Sequence, residues 1–170
     1  YIGWYRSVFM NQYASHLQVQ VHEFGHNLRM RHSGEGSATY GDGTGMMGAH
    51  VWNDDRPHQC FNAAKSWYTG WYSDAHVTID PTVSPWNGEF VGIDDYVNDN
   101  YDPANHKVVA KIGSNLYMMY NRKKGINREV AEYGNQVTVI EQAAEANSQS
   151  WLRAHLVDGA DHRIAQWNGQ

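Results

Sequence analysis

His22-Glu23-Phe24-Gly25-His26, with His32 six residues further on, is the stretch that decides how this chain reads. On a helix of 3.6 residues per turn, positions four apart lie about 40° from each other. His22 and His26 therefore face one side and can share one metal ion. Glu23 follows the first imidazole and can point toward a water on that ion. His32 offers a third nitrogen. Three protein ligands leave one tetrahedral position open, which separates catalytic zinc sites from closed structural ones. The pattern implies zinc-dependent hydrolysis, with a peptide bond as the first candidate substrate. A straight helix cannot deliver His32, because six residues add about 600° of rotation and about 9 Å of rise. The helix must end after His26 and the chain must turn back. Such a turn asks for a residue that tolerates positive φ, usually glycine.

The rest of the chain is compatible with one core-forming fold. It has 170 residues, 41% of them hydrophobic, with seven Trp and eleven Tyr to fill an interior. That excludes a disordered chain. A net charge of −5 gives no basis for nucleic-acid binding by broad phosphate attraction. Arg122-Lys123-Lys124 is the only basic run and reads as a solvated turn. No stretch approaches the ~20 apolar residues of a membrane span. Cys60 is the single cysteine, read as a free thiol or one with a partner outside this segment.

Periodicity divides the chain in two. Residues 1 to about 12 read as a strand and turn, and residues 12–29 as a helix whose Leu17, Val21, Phe24 and Leu28 face a core. Residues 33–48 hold six glycines and read as loop. A second helix is expected from Pro57 or His58 to Thr69, stopped by Gly70. After Asp74 come short β-like runs at 90–93, 107–112, 116–120, 136–140 and 151–157. The expectation is a zinc-binding region over 1–74 followed by a small antiparallel β-rich region over 75–170.

His22-Glu23-x-x-His26 with His32 resembles the long zinc signature of the metzincin metalloproteases. The flanking text narrows the resemblance to the gametolysin-type peptidases. It rests on residues 22–28, His32-Ser33, Tyr40-Gly41-Asp42, Thr44-Gly45-Met46-Met47-Gly48 and residues 60–67, and is densest from His22 to about Tyr72. It implies an α+β zincin catalytic domain with Zn2+ on His22, His26 and His32, and with Glu23 as catalytic base. It also implies a methionine-bearing turn beneath the metal, matched to Met47 with Met46 as the alternative. The implied protein is a secreted endopeptidase acting on extracellular-matrix or cell-wall glycoproteins, with no nucleic acid and no membrane span. Metzincins also place a substrate-aligning sheet ahead of the zinc helix. About twenty residues precede His22 here, so an upstream segment or partner chain is expected to complete the fold.

Two departures accompany the resemblance. Arg29 stands where metzincins carry the glycine of the turn, and a left-handed non-glycine residue costs roughly 1–2 kcal/mol. Position 49, two residues past Met47, is Ala, so the switchable tyrosine ligand of some metzincins is not carried over. Arg29 and the short front raise an alternative: a metzincin-like domain with weak or no catalysis, serving as a structural or interaction subunit. Glu35 and Asp42-Gly43-Thr44-Gly45, Asp94-Asp95 and residues 98–102 offer oxygens for Ca2+, against a plainer reading as polar turns. His50 and His58 follow the methionine turn and are the further histidines placed near the cleft. His16, His76, His106, His155 and His162 read as structural or surface residues.

Overall fold

The computed structural model describes residues 2–3, 6–9, 11–48, 56–83, 85–98, 101–145 and 147–157. In chain order these form β1 (Ile2–Gly3), β2 (Arg6–Ser7), α1 (Leu17–Asn27), β3 (Ser33–Glu35), α2 (Ala63–Thr69), β4 (His76–Ile79) and β5 (Glu89–Phe90). They continue with α3 (Ile93–Tyr96), β6 (His106–Lys107), β7 (Val109–Ile112), β8 (Leu116–Tyr120), β9 (Val137–Gln142) and β10 (Ser150–Leu156). The class is α+β. No helix among the described residues is long and apolar enough to cross a membrane.

One sheet of six strands, ordered β3-β10-β9-β8-β7-β4, organises the molecule. The centre, β7 to β10, is antiparallel, but β3 joins β10 and β4 joins β7 in parallel. The sheet is thus mixed rather than antiparallel as expected. Its parallel edges come from chain that precedes the meander, so the strand carrying Ser33 is stitched to the far end of the sequence. Val109, Tyr117, Met119, Ile140 and Leu152 are buried on the sheet. Burying each such side chain contributes roughly 1.5–3 kcal/mol. The helix α2 lies on this surface with the small, fully buried Ala63 and Ala64, which let its backbone approach closely. Cys60 is a buried free thiol in the same cluster, its pKa pushed up to about 12 by burial.

The helices differ from expectation at their ends. A 3-10 turn over Asn11–Ser15 replaces the first residues of the expected helix. His16, extended at φ −85, separates it from α1. The helix α2 starts at Ala63, later than Pro57 or His58, because the preceding segment is held in place by another part of the chain. The His58 N–H donates to Glu129 and the Cys60 N–H to Asn127 Oδ1. Asn62 then caps the helix by accepting from the Lys65 N–H at 3.1 Å. Gly70 ends it in the left-handed region, as read. The run 90–93 is mostly not strand: only Glu89–Phe90 pairs, and Gly92 opens α3.

The buried face of α1 is also different. Gln18, His22, Gly25 and His26 point inward, whereas Phe24 and Leu28 are exposed. Phe24 and Leu28 line a cavity of about 410 Å³ with Met30, Lys65, Tyr68 and Trp71. The apolar stripe is real, but the polar stripe is the one that meets the body of the protein.

Candidate metal centre

The turn after α1 makes the site. Arg29 sits at φ 66, in the left-handed region. Its N–H donates to the His26 carbonyl at 2.9 Å, and the Met30 N–H donates to the Gly25 carbonyl at 3.0 Å. These two bonds are a Schellman ending, with arginine in the place usually taken by glycine. The chain reverses within three residues. The Ser150 N–H donates to the His32 carbonyl at 3.1 Å, fixing the backbone of His32 against the end of β10.

His22, His26 and His32 converge so that one ligand atom from each lies within 4.8 Å of the others. His22 Nδ1 donates to the Met46 carbonyl at 2.9 Å, and His26 Nδ1 donates to the Met30 carbonyl at 2.8 Å. Those bonds commit each Nδ1 to its proton and leave each Nε2 with a free lone pair. His26 Nε2 and His32 Nε2 face each other at 3.1 Å. A tetrahedral zinc with bonds of 2.0–2.1 Å separates two nitrogens by roughly 3.3 Å, so the donor set fits such an ion. Burial lowers the pKa of His22; burial and the neighbouring His26 and His22 lower His32 to about 4. Both imidazoles are neutral at pH 7, the form that ligates. Glu23 is half-buried beside them.

Met47 is fully buried beneath the helix. A Cβ on Gly25 would collide with the Met47 Sδ, so only glycine lets α1 rest on this methionine. Met46 plays a different part: its carbonyl orients His22, and its N–H donates to the Cys60 carbonyl at 3.0 Å. Gln18, one turn before His22, donates to the Gly48 carbonyl at 2.9 Å and ties the helix to the same turn. Below it lies a buried polar cluster. The Asn62 amide donates to Ser33 Oγ (3.1 Å), Asp42 Oδ2 (2.8 Å) and Ser150 Oγ (3.1 Å). Thr44 bonds Asp42 through both its N–H and its hydroxyl.

That cluster answers the calcium reading. Asp42 is fully buried, with its oxygens taken by Thr44 and Asn62. Asp95 is paired with Arg122 and Lys124, and Asp94 with Lys124. Glu35 accepts from the Tyr133 hydroxyl at 3.4 Å. Asn98 donates its amide to Asp94, and Asp102 accepts from Ala104 and Asn105. These candidate carboxylates are engaged by protein donors and give calcium no support. His58 is bound to Glu129 at 2.8 Å and to Arg128, and is not one of the converging imidazoles. His76 stacks on Trp67, His155 stacks on Tyr133, and His106 pairs with Glu89. His50 and His162 lie outside the described residues. Two residues near the imidazoles carried no site role in the sequence, Gln18 and Tyr40. The Tyr40 ring lies 4.1 Å from the His32 ring. Gln18 had a signal in its spacing, one helical turn before His22. Tyr40 had none beyond its place in the resemblance.

A helix-borne pair of imidazoles and a third beyond a reversal could hold one metal ion, with a glutamate adjacent in the helix. The family model for gametolysin peptidase M11 matches residues 2–155, and the chain belongs to that family. No curated protein and no solved structure matches it.

Proposed function

We propose that the chain is a secreted, metzincin-like zinc endopeptidase that cuts extracellular-matrix or cell-wall glycoproteins. His22, His26 and His32 hold the metal, Glu23 is the base and Met47 is the floor of the site. The observation that carries this reading is the convergence of three imidazoles within 4.8 Å of one another in a chain of a peptidase family. Zinc, when bound there, supplies Lewis acidity, lowering the pKa of a coordinated water toward ~7 and polarising a carbonyl. Glu23 takes the proton from the attacking water and passes it to the leaving amine. His22 and His26 are held by the Met46 and Met30 carbonyls in the tautomer that ligates. No protein nucleophile is required. The Schellman turn at Arg29 closes with both of its hydrogen bonds, so the missing glycine gives no ground for a non-catalytic subunit.

The test is hydrolysis of casein or a peptide library, with and without chelator. The Glu23→Gln variant keeps zinc and loses at least about 100-fold in turnover. Undiminished hydrolysis by that variant would remove Glu23 from its role. Hydrolysis that survives full metal removal would sink the metal mechanism.

A further inference from the structure

Each metal-ligating imidazole needs something to hold its ring angle, and in this protein the three are held in two different ways. His22 and His26 are fixed by carbonyls on Nδ1. His32 is not: among the described residues its ring nitrogens bond only His26 Nε2. What does touch its ring is Tyr40, at a centroid distance of 4.1 Å and an interplanar angle of 36°. The same phenol ring lies 6.0 Å from the His22 ring, and His22 lies 5.4 Å from His32. The three centroids form a triangle, with Tyr40 closing one side of the imidazole cluster.

Tyr40 sits on a built support. Glu35 and Ala38 exchange both backbone hydrogen bonds, at 3.0 and 2.9 Å, and the Gly41 N–H donates to the Ala38 carbonyl at 3.0 Å. Gln149 donates to the Thr39 carbonyl at 3.0 Å, and the Asp42 N–H returns to the Ser33 carbonyl at 3.2 Å. The backbone on both sides of Tyr40 is therefore pinned to the strand that follows His32. Its side chain nonetheless stays 43% exposed, so the core gains little from it. An exposed aromatic on a pinned turn, packed at a tilt against the one imidazole without a carbonyl anchor among the described residues, has a local task.

We propose that Tyr40 is a positioning residue for the third metal ligand, its ring face replacing the hydrogen bond that orients His22 and His26. The flat ring restricts rotation of His32 about its side-chain torsions and keeps Nε2 aimed at the shared centre. The hydroxyl is not needed for this. The inference rests on the zinc reading given above.

The experiment measures zinc affinity of the full chain against a chromophoric chelator, with cobalt(II) absorption as an independent reading of ligand geometry. Loss of an orienting partner weakens metal binding roughly 10- to 100-fold. Tyr40→Ala is expected to weaken zinc about tenfold and to dim the cobalt bands, while Tyr40→Phe stays near wild type. In a His32→Ala background, Tyr40→Ala is expected to change nothing further. Tyr40→Leu, which keeps apolar bulk in the turn, carries the same cycle should Ala loosen the fold, with the same loss expected. Unchanged zinc affinity in Tyr40→Ala overturns the proposal. So does a loss in Tyr40→Phe as large as in Tyr40→Ala, or an equal loss with and without His32. Wild-type protein that binds no zinc overturns the metal reading as well; wild-type binding with an indifferent Tyr40 overturns this proposal alone.

Discussion

Gly25→Ala tests whether Met47 supports the helix of His22 and His26 from below. In an exposed helix the change is favourable, since Ala exceeds Gly by about 0.8–1.0 kcal/mol. Here the new Cβ would collide with the Met47 Sδ and approach the Phe61 ring to 3.1 Å. Carbon contacts relax near 3.5–4.0 Å, so the helix or the methionine must shift by roughly an ångström. Overpacking of this kind costs about 1–3 kcal/mol. The net expectation is a loss of about 1 kcal/mol. In a Met47→Ala background the closer obstacle is gone and only the Phe61 contact remains, so the same Gly25→Ala change should gain up to about 1 kcal/mol. Met47→Ala alone costs about 2–5 kcal/mol. The sign reversal amounts to a coupling near 2 kcal/mol, within the usual range for touching residues. The assay is urea unfolding of all four proteins in chelator, which isolates packing from metal. If Gly25→Ala changes stability by the same amount with and without the methionine side chain, the contact is not what keeps position 25 a glycine.

Two further perturbations follow from single observations. Arg29→Gly removes a left-handed strain of roughly 1–2 kcal/mol and adds chain freedom worth about 0.4–1 kcal/mol. Thermal unfolding should show a gain of up to about 1 kcal/mol with zinc affinity unchanged, and a loss of stability would mean that the arginine side chain contributes contacts of its own. Lys65 is 1% exposed, its Nζ donating to Gln142 Oε1 and the Ser148 carbonyl at 2.8 Å, and burial lowers its pKa to about 7. The unfolded chain, with an ordinary lysine, holds its proton above that pH. It therefore binds more protons than the folded chain, and stability rises with pH from about 7 toward 8.5, by at most about 1.4 kcal/mol per unit. Lys65→Met should flatten that slope in urea titrations; an unchanged slope would assign it to other groups.

The imidazole cluster was legible because its geometry is local in sequence: His22 and His26 share a helix face by spacing alone, and the need for a reversal before His32 follows from helix geometry. The orientation of α1 was not legible. Periodicity finds the apolar stripe of Phe24 and Leu28 but cannot say which stripe meets the protein, and here the polar one does: Gln18 and His22 bond carbonyls of the turn at 46–48, and His26 bonds the Met30 carbonyl in the reversal that follows the helix. The strand β3 was invisible for a related reason. Ser33-Gly34-Glu35 has no apolar alternation, and its pairing partner lies in β10 at Ser150, Trp151 and Leu152. The late start of α2 depends on Asn127 and Glu129 reaching back to Cys60 and His58. In α3 a readable signal was available: Gly92 followed by Ile93, Asp94 and Asp95 puts two acids in a first helical turn.

The carbonyls that set the two helical imidazoles belong to stretches of chain fixed for other reasons. Met30 is placed by the Schellman turn, and Met46 by its own N–H to Cys60 and by the turn that ends at Gly48. That turn in turn rests on Asp42, Thr44 and Asn62, which are fully satisfied and almost wholly buried. A satisfied buried polar cluster resists rearrangement, since any movement leaves groups unpaired in a low-dielectric interior. The orientation of His22 and His26 is therefore a property of the folded chain, and little ordering of them would remain for a metal to impose. Small zinc domains whose ligands order only on binding work in the opposite way. The exception within this site is His32, whose ring has no carbonyl anchor among the described residues, so the affinity of the centre should be most sensitive on that side.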